Sequence, residues 1–125
     1  MRFMVLLKAD ARSESGVLPD EALFAALSRY NEDLVRAGVL LAAEELQPSS
    51  TGARVRFCND SRTVVDGPFP ETRNLIAGFW LIQVKSQDEA IEWVKRYPHP
   101  IPGEAEIEIR QVRTRNREET GRERS

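Results

Sequence analysis

Two short apolar segments, residues 2 to 8 (RFMVLLK) and 78 to 84 (GFWLIQV), constrain the fold more than any other feature of this chain. The first ends at Asp10, before the loop-forming Ser13, Ser15 and Gly16, and both segments are predicted to be buried strands. Because successive side chains of a strand point to opposite faces, both faces of the resulting sheet are apolar. In the first segment, one face carries Phe3, Val5 and Leu7 and the other carries Met4 and Leu6. In the second segment, one face carries Phe79 and Leu81 and the other carries Trp80, Ile82 and Val84.

The first half of the chain is predicted to contain a helix, a second strand and a hairpin. Apolar residues recur at helical spacing after Pro19, namely Leu23, Leu27, Tyr30 and Leu34, and Gly38 is a typical stop. Residues 39 to 46 then indicate a strand, whereas Ser13, Ser15 and Gly16 indicate a loop. Alternating residues at 54–57 and 63–65 flank Asn59-Asp60, as in an inserted hairpin.

The second half is predicted to repeat the pattern of strand, helix and strand. Ser86 with Glu89 forms a capping-box signature for a helix that ends before Pro98. Residues 104 to 110 alternate charged and apolar side chains, as a half-exposed strand does. The predicted fold is therefore α+β, a ferredoxin-like βαββαβ arrangement with an inserted hairpin.

The apolar pattern also predicts an oligomer. Two helices can cover only one face of such a sheet, yet both faces of residues 2–8 and 78–84 are apolar. A second copy of the chain is the simplest partner for the uncovered face, so we expect a homodimer.

Composition limits the classes of partner. The 125 residues carry a formal charge of −2 with a sequence pI of about 5.5, which argues against nucleic acid as a binding partner. The first apolar segment is too short for a signal sequence or a membrane span, and the single cysteine, Cys58, cannot form an internal disulfide. These features lead us to expect a cytoplasmic protein. Residues 113–125 hold no apolar side chain and are predicted to be a disordered charged tail outside a domain of residues 1–112.

Residues 66 to 73, DGPFPETR, resemble the DGPF motif of the YCII-related family. Further similarity lies at residues 30–34, 77–82 and 106–110, so the resemblance extends over residues 1 to about 112. It implies a dimeric α+β barrel with clefts at its rims, and it implies no established reaction. Smaller members suggest a histidine and aspartate pair as an acid/base site, but the first predicted helix has no histidine.

The motif supplies the first candidate site residues. Asp66 is a candidate acid, base or ligand anchor, because a carboxylate beside Gly67 and Pro68 has a fixed direction. The alternative is a structural role, in which its carboxylate accepts hydrogen bonds from the turn. Thr72 and Arg73 could contribute a hydroxyl and a cation for a small anionic ligand, or could be surface residues.

Tyr30 and Trp80 are further candidates for ligand contact, with core packing as the alternative for each. Glu44 and Glu45 are predicted to point to opposite faces of their strand, so they do not form a carboxylate pair. His99 lies among Pro98, Pro100 and Pro102. It is either a solvated loop residue or an acid/base group.

No motif indicates a cofactor. One histidine and one cysteine provide no transition-metal ligand set, although an oxygen-ligated Mg²⁺ site stays open. A glycine-rich phosphate loop, a Gly-x-Ser-x-Gly elbow and a Cys-x-x-Cys pair are all absent from the sequence. Two functions stay open. The chain is either a small-molecule-binding protein with its site near Asp66, with or without acid/base catalysis, or a non-catalytic homodimeric module for interaction or regulation.

Overall fold

The computed structural model describes residues 1–101 and 103–114, with the exception of the side chain of Arg73. The predicted tail at 113–125 falls almost wholly outside these residues. The strands are β1 (Arg2–Lys8), β2 (Leu40–Glu45), β3 (Ala53–Cys58), β4 (Ser61–Asp66), β5 (Ile76–Gln83) and β6 (Ile107–Gln111). The helices are α1 (Ala11–Ser15), α2 (Glu21–Arg36) and α3 (Gln87–Val94), with 3-10 turns at Ser49–Thr51 and Thr72–Asn74.

Four strands form one antiparallel sheet in the order β2-β5-β1-β6. The connection through α2 joins β1 to β2 with β5 between them, and the connection through α3 joins β5 to β6 with β1 between them. This is the ferredoxin-like arrangement, so the predicted fold class is confirmed.

The segment after β1 departs from the prediction of a loop, because residues 11–15 form the short helix α1. The Asp10 carboxylate accepts a hydrogen bond from the Ser13 backbone N–H (2.8 Å), and the Ser13 hydroxyl accepts one from the Asp10 N–H (2.9 Å). Gly16 then ends the helix at φ 82°, a conformation that favours glycine. Ser13, one of the residues that suggested a loop, completes this capping box.

The two longer helices begin at side-chain caps. The Asp20 carboxylate accepts from the Leu23 N–H (2.8 Å) at the start of α2, which therefore begins two residues after Pro19. The Ser86 hydroxyl accepts from the Glu89 N–H (3.1 Å) at the start of α3. The Glu89 carboxylate accepts from the Lys85 N–H rather than from that of Ser86, so only half of the predicted capping box forms.

The core lies between the helices and one face of the sheet. Its centre consists of residues from β1, β5, α2 and α3, and burial of their apolar surface is the main source of stability. The buried members are Phe3, Val5, Tyr30, Leu34, Val39, Trp80, Ile82, Val84 and Ala90.

No element of the described chain covers the opposite face of the sheet, which we call the uncovered face. Its two central rows run across the strands as Ala42, Leu81, Met4 and Arg110, and as Glu44, Phe79, Leu6 and Glu108. The four central apolar side chains, Met4, Leu6, Phe79 and Leu81, are only partly buried. The predicted division of residues between the two faces is therefore correct.

Strands β3 and β4 form a separate two-stranded sheet, which we call the arm (residues 53–66). Its turn contains Asn59 at φ 52°, a residue type that tolerates this conformation. Every residue of its two strands except Val65 is exposed. The predicted hairpin is thus present, as an extension from the end of the main sheet where β2 finishes and β5 begins.

Candidate functional site

Asp66 is the last residue of β4 and its side chain is exposed. It pairs with Ala53 in the arm. Among the described residues, its carboxylate accepts no hydrogen bond and forms no ion pair, so the turn-capping bond of the structural alternative is not observed there. The rigidity of this region must come from the residues that follow Asp66.

The loop after Asp66 is held against the chain by the close approach of two backbones. The Gly67 N–H donates to the Gly52 carbonyl (2.9 Å), and the following Gly67–Pro68 peptide is cis. A Cβ atom at Gly67 would lie 1.8 Å from the backbone oxygen of Ser49, a distance that no side chain can occupy. The glycine of the motif is therefore required by packing.

Ser49 connects this loop to α1 through three hydrogen bonds. Its hydroxyl accepts from the Phe69 backbone N–H (3.0 Å) and donates to Glu14 Oε1 (2.5 Å). Its own backbone N–H donates to Glu14 Oε2 (2.9 Å). Sequence reasoning missed both residues, because Glu14 and Ser49 are 35 positions apart and neither belongs to a recognisable motif.

Phe69 anchors the same loop by burial. Only 8% of its surface is exposed, and the Arg54 guanidinium lies 3.9 Å from its ring centroid. Arg54 also approaches Glu71 at 3.9 Å, but both side chains are solvent-accessible and this ion pair contributes little. The DGPF loop, which we define as residues 66–69, therefore contains a buried aromatic anchor, Phe69, and an exposed carboxylate, Asp66.

The other motif candidates follow in the 3-10 turn. Thr72 is half-buried; its backbone N–H donates to the Pro70 carbonyl (3.0 Å) and its own carbonyl accepts from the Leu75 N–H (3.0 Å). The side chain of Arg73 lies outside the described residues, so its predicted role stays a prediction.

Tyr30 and Trp80 lie in the core between α2 and the sheet, and the structure does not group them with exposed Asp66. The Tyr30 hydroxyl donates to the Trp93 carbonyl (2.9 Å), and the Trp80 indole N–H donates to Asn31 Oδ1 (2.8 Å). Their rings meet edge to face at 5.8 Å between centroids, and both meet Tyr97 in the same manner. Each polar atom is thus already satisfied within the chain.

Burial governs the titration of these tyrosines. Desolvation raises the pKa of Tyr30 to about 12, with a smaller opposing effect of Arg96. Desolvation also raises the pKa of Tyr97, and the carboxylates of Asp10 and Glu45 raise it further. Both hydroxyls therefore stay protonated at neutral pH and can act only as hydrogen-bonding groups.

The remaining candidate residues lie apart. Glu44 pairs with Phe79 on the uncovered face, whereas Glu45 pairs with Gly78 on the helix face, as predicted. His99 is exposed, and its Nδ1 lies 3.0 Å from the Pro100 carbonyl oxygen.

Cavities and clusters elsewhere do not extend this site. An open groove of about 460 Å³ is lined by Asn31, Glu32, Val35 and Arg36 of α2, and contains none of the motif residues. Within residues 1–101 and 103–114, no three His, Cys, Asp or Glu side chains are grouped so as to hold a metal ion. No helix in that part of the chain has the length and apolarity needed to cross a membrane.

Comparison with known proteins identifies related sequences. A family model described as the YCII-related domain matches residues 1–113. An uncharacterized protein of Rhizobium meliloti (strain 1021) is 33% identical over 91 residues, which cover 73% of this chain and 73% of that protein.

Proposed function

Because the chain belongs to the YCII-related family, we propose that it is a homodimeric protein that binds a small molecule beside the DGPF loop, with Asp66 as the anchoring or proton-accepting group. The observation that carries this proposal is the contrast within the loop. Gly67 and Phe69 are held by hydrogen bonds and close packing, while Asp66 next to them presents an exposed carboxylate. A loop whose backbone is already held before its ligand arrives loses little conformational entropy on binding.

The chemistry of the proposed site follows from the exposed carboxylate of Asp66. An ionised carboxylate only accepts hydrogen bonds, so Asp66 suits a ligand that offers N–H or O–H donors, or a proton that can be removed. Thr72 lies in the 3-10 turn that follows the motif loop; it is half-buried, and its hydroxyl can both donate and accept. The expected ligands are therefore polar molecules that offer a hydrogen-bond donor to Asp66, with a carbonyl, carboxylate or phosphate group as a further acceptor.

A ligand screen by NMR tests the proposal. The probes are small carboxylates, phosphates, carbonyl compounds and amines, and the readout is the shift of amide signals from residues 66–75 of the ¹⁵N-labelled chain. We expect at least one probe to move these signals, and Asp66→Asn to weaken its binding about tenfold or more while the chain stays folded.

Asp60→Asn is the matched control, since Asp60 is exposed in the turn of the arm and the substitution makes the same change in charge. It should bind the probe as the unmodified chain does. Equal affinity of Asp66→Asn and the unmodified chain for every bound probe would contradict the role of Asp66 and leave the loop as a structural turn.

A non-catalytic interaction module is the second candidate. Exposed apolar residues on the arm, namely Val55, Phe57 and Val64, support it because such a surface is typical of a protein contact. A dimer that gives no shift with any probe would favour this second function.

A further inference from the structure

The arm has one apolar face that no part of the described chain covers. Val55 pairs with Val64 and Phe57 pairs with Arg62, so these four side chains lie on the same face. Val55 is 52% exposed, Phe57 66% and Val64 65%. A two-stranded hairpin is at best marginally stable in water, so this face needs a surface to pack against.

The opposite face of the arm is polar and holds the arm to its own chain. It carries Arg54, Arg56, Cys58, Ser61 and Thr63, together with Val65, which pairs with Arg54 and is the one half-buried residue of the two strands. At its base, Arg54 packs on Phe69 of the DGPF loop. The arm is therefore attached through its polar face, which leaves the apolar face free.

The area of the uncovered sheet face is smaller than that of a typical stable dimer interface, so a further contact is needed. Its strands are five to eight residues long. With strands about 4.8 Å apart and a rise of about 3.4 Å per residue, four strands give a footprint of roughly 400 Å². A standard interface buries about 800 Å² of accessible surface on each partner, which is about twice this projected footprint. One face of the arm adds roughly 200 Å² by the same arithmetic, which accounts for about half of the difference.

Charged residues on the two surfaces indicate where the arm docks. Glu44 lies at the β2 margin of the uncovered face and forms no ion pair with any described residue. Near its turn, the apolar face of the arm carries a cation, because Arg62 pairs with Phe57 and its guanidinium lies 5.3 Å from the Phe57 ring centroid. Asp66 lies on the same face at the base of the arm, so the match is local: the cation near the turn of the arm suits the carboxylate of Glu44 at the β2 margin.

We propose that the arm docks onto a second copy of this chain, with Val55, Phe57 and Val64 against the β2 margin of the uncovered face and Arg62 opposite Glu44 of the partner subunit. Two-fold symmetry makes the contact reciprocal. This inference rests on the homodimer of the proposed function and gives its site a second component. Asp66 pairs with Ala53 on the same face of the arm, so docking places its carboxylate against the partner and builds the site from two chains.

Sedimentation equilibrium of substituted chains provides the first test. We expect Phe57→Asp to raise the dimer Kd by about tenfold or more, because it places a charge in the apolar contact. Thr63→Asp is the matched control, since it adds the same charge at an exposed position on the polar face of the arm. It should leave the Kd within about threefold of the unmodified value.

Native Cys58 permits a second test that does not depend on a disruptive substitution, because it is exposed and is the only cysteine. A nitroxide on Cys58 of unlabelled chains is mixed with ¹⁵N-labelled Cys58→Ser chains. We expect broadening of the amide signals of residues 41–45 and their neighbours in β5, which can come only from the partner's arm.

The outcomes separate the two proposals. A dimer that Leu81→Asp dissociates but Phe57→Asp does not, with no broadening at residues 41–45, overturns the arm contact and leaves the sheet dimer. A monomer at 100 μM, the concentration of the test, overturns the homodimer itself and assigns the arm to a different protein.

Discussion

At the residue scale, Tyr30 shows how a polar side chain is accommodated in an apolar core. Its ring packs against Trp80 and Tyr97, and its hydroxyl donates to the Trp93 carbonyl. Helical spacing predicted its core position. Its hydrogen-bond partner lies 63 positions away in α3 and could not be predicted, because only the packing of α2 against α3 brings the two together.

Burial of Tyr30 should make stability depend on alkaline pH. Its pKa is raised to about 12 in the folded chain, against an ordinary value of 10.0 when unfolded, so the folded state holds the proton more tightly. The stabilisation is complete below about pH 10 and is lost as pH rises toward 12. We expect the free energy of unfolding, measured in urea, to fall on the order of 1–2 kcal/mol across this window.

Two variants isolate this effect. Tyr30→Phe should cost about 1 kcal/mol at neutral pH through the lost hydrogen bond and should show a weaker decrease above pH 10. Tyr97→Phe leaves Tyr30 as the only tyrosine, whose ionisation can be followed at 295 nm. A midpoint near 10 in that chain would show that desolvation of Tyr30 is weaker than we infer.

At the scale of elements, the contact among α1, the Ser49–Thr51 turn and the DGPF loop holds the backbone that follows Asp66. Ser49 contributes all three hydrogen bonds of this contact. Replacement by Ala removes the two bonds of the hydroxyl, leaving the half-buried Phe69 N–H unpaired and the Glu14 carboxylate with only the backbone bond.

We therefore expect Ser49→Ala to lower the free energy of unfolding by about 1–2 kcal/mol in chemical denaturation. It should also broaden or shift the amide signals of residues 66–72. Ser50→Ala is the control, because Ser50 lies in the same turn, is exposed and makes no side-chain hydrogen bond to a described residue. Equal stability of the two variants would show that Ser49 does not hold the loop.

At the scale of the whole molecule, the uncovered sheet face predicts association. Met4, Leu6, Phe79 and Leu81 form a contiguous apolar surface at the centre of this face. Light scattering at micromolar concentration should give about twice the chain mass of 14.2 kDa. Leu81→Asp should yield a folded monomer, because a charge in the centre of the contact would be buried without a partner.

Val35→Asp is the control for that substitution. Val35 is 63% exposed on α2, away from the sheet face, so a charge there should leave the dimer intact. A well-folded monomer of the unmodified chain would contradict the homodimer.

The sequence by itself determined the order of the six strands, the two longer helices and the division of β1 and β5 into two apolar faces, because these depend on local periodicity and burial. It also located the DGPF loop and the hairpin. It did not determine α1 or the hydrogen bonds by which Ser49 links Glu14 and Phe69, and it left open whether Asp66 has a structural or a functional role. These depend on backbones that are distant in the sequence and approach each other only when the chain is folded, as Gly67 approaches Ser49. Tertiary structure alone decided that the motif has a buried anchor and an exposed carboxylate.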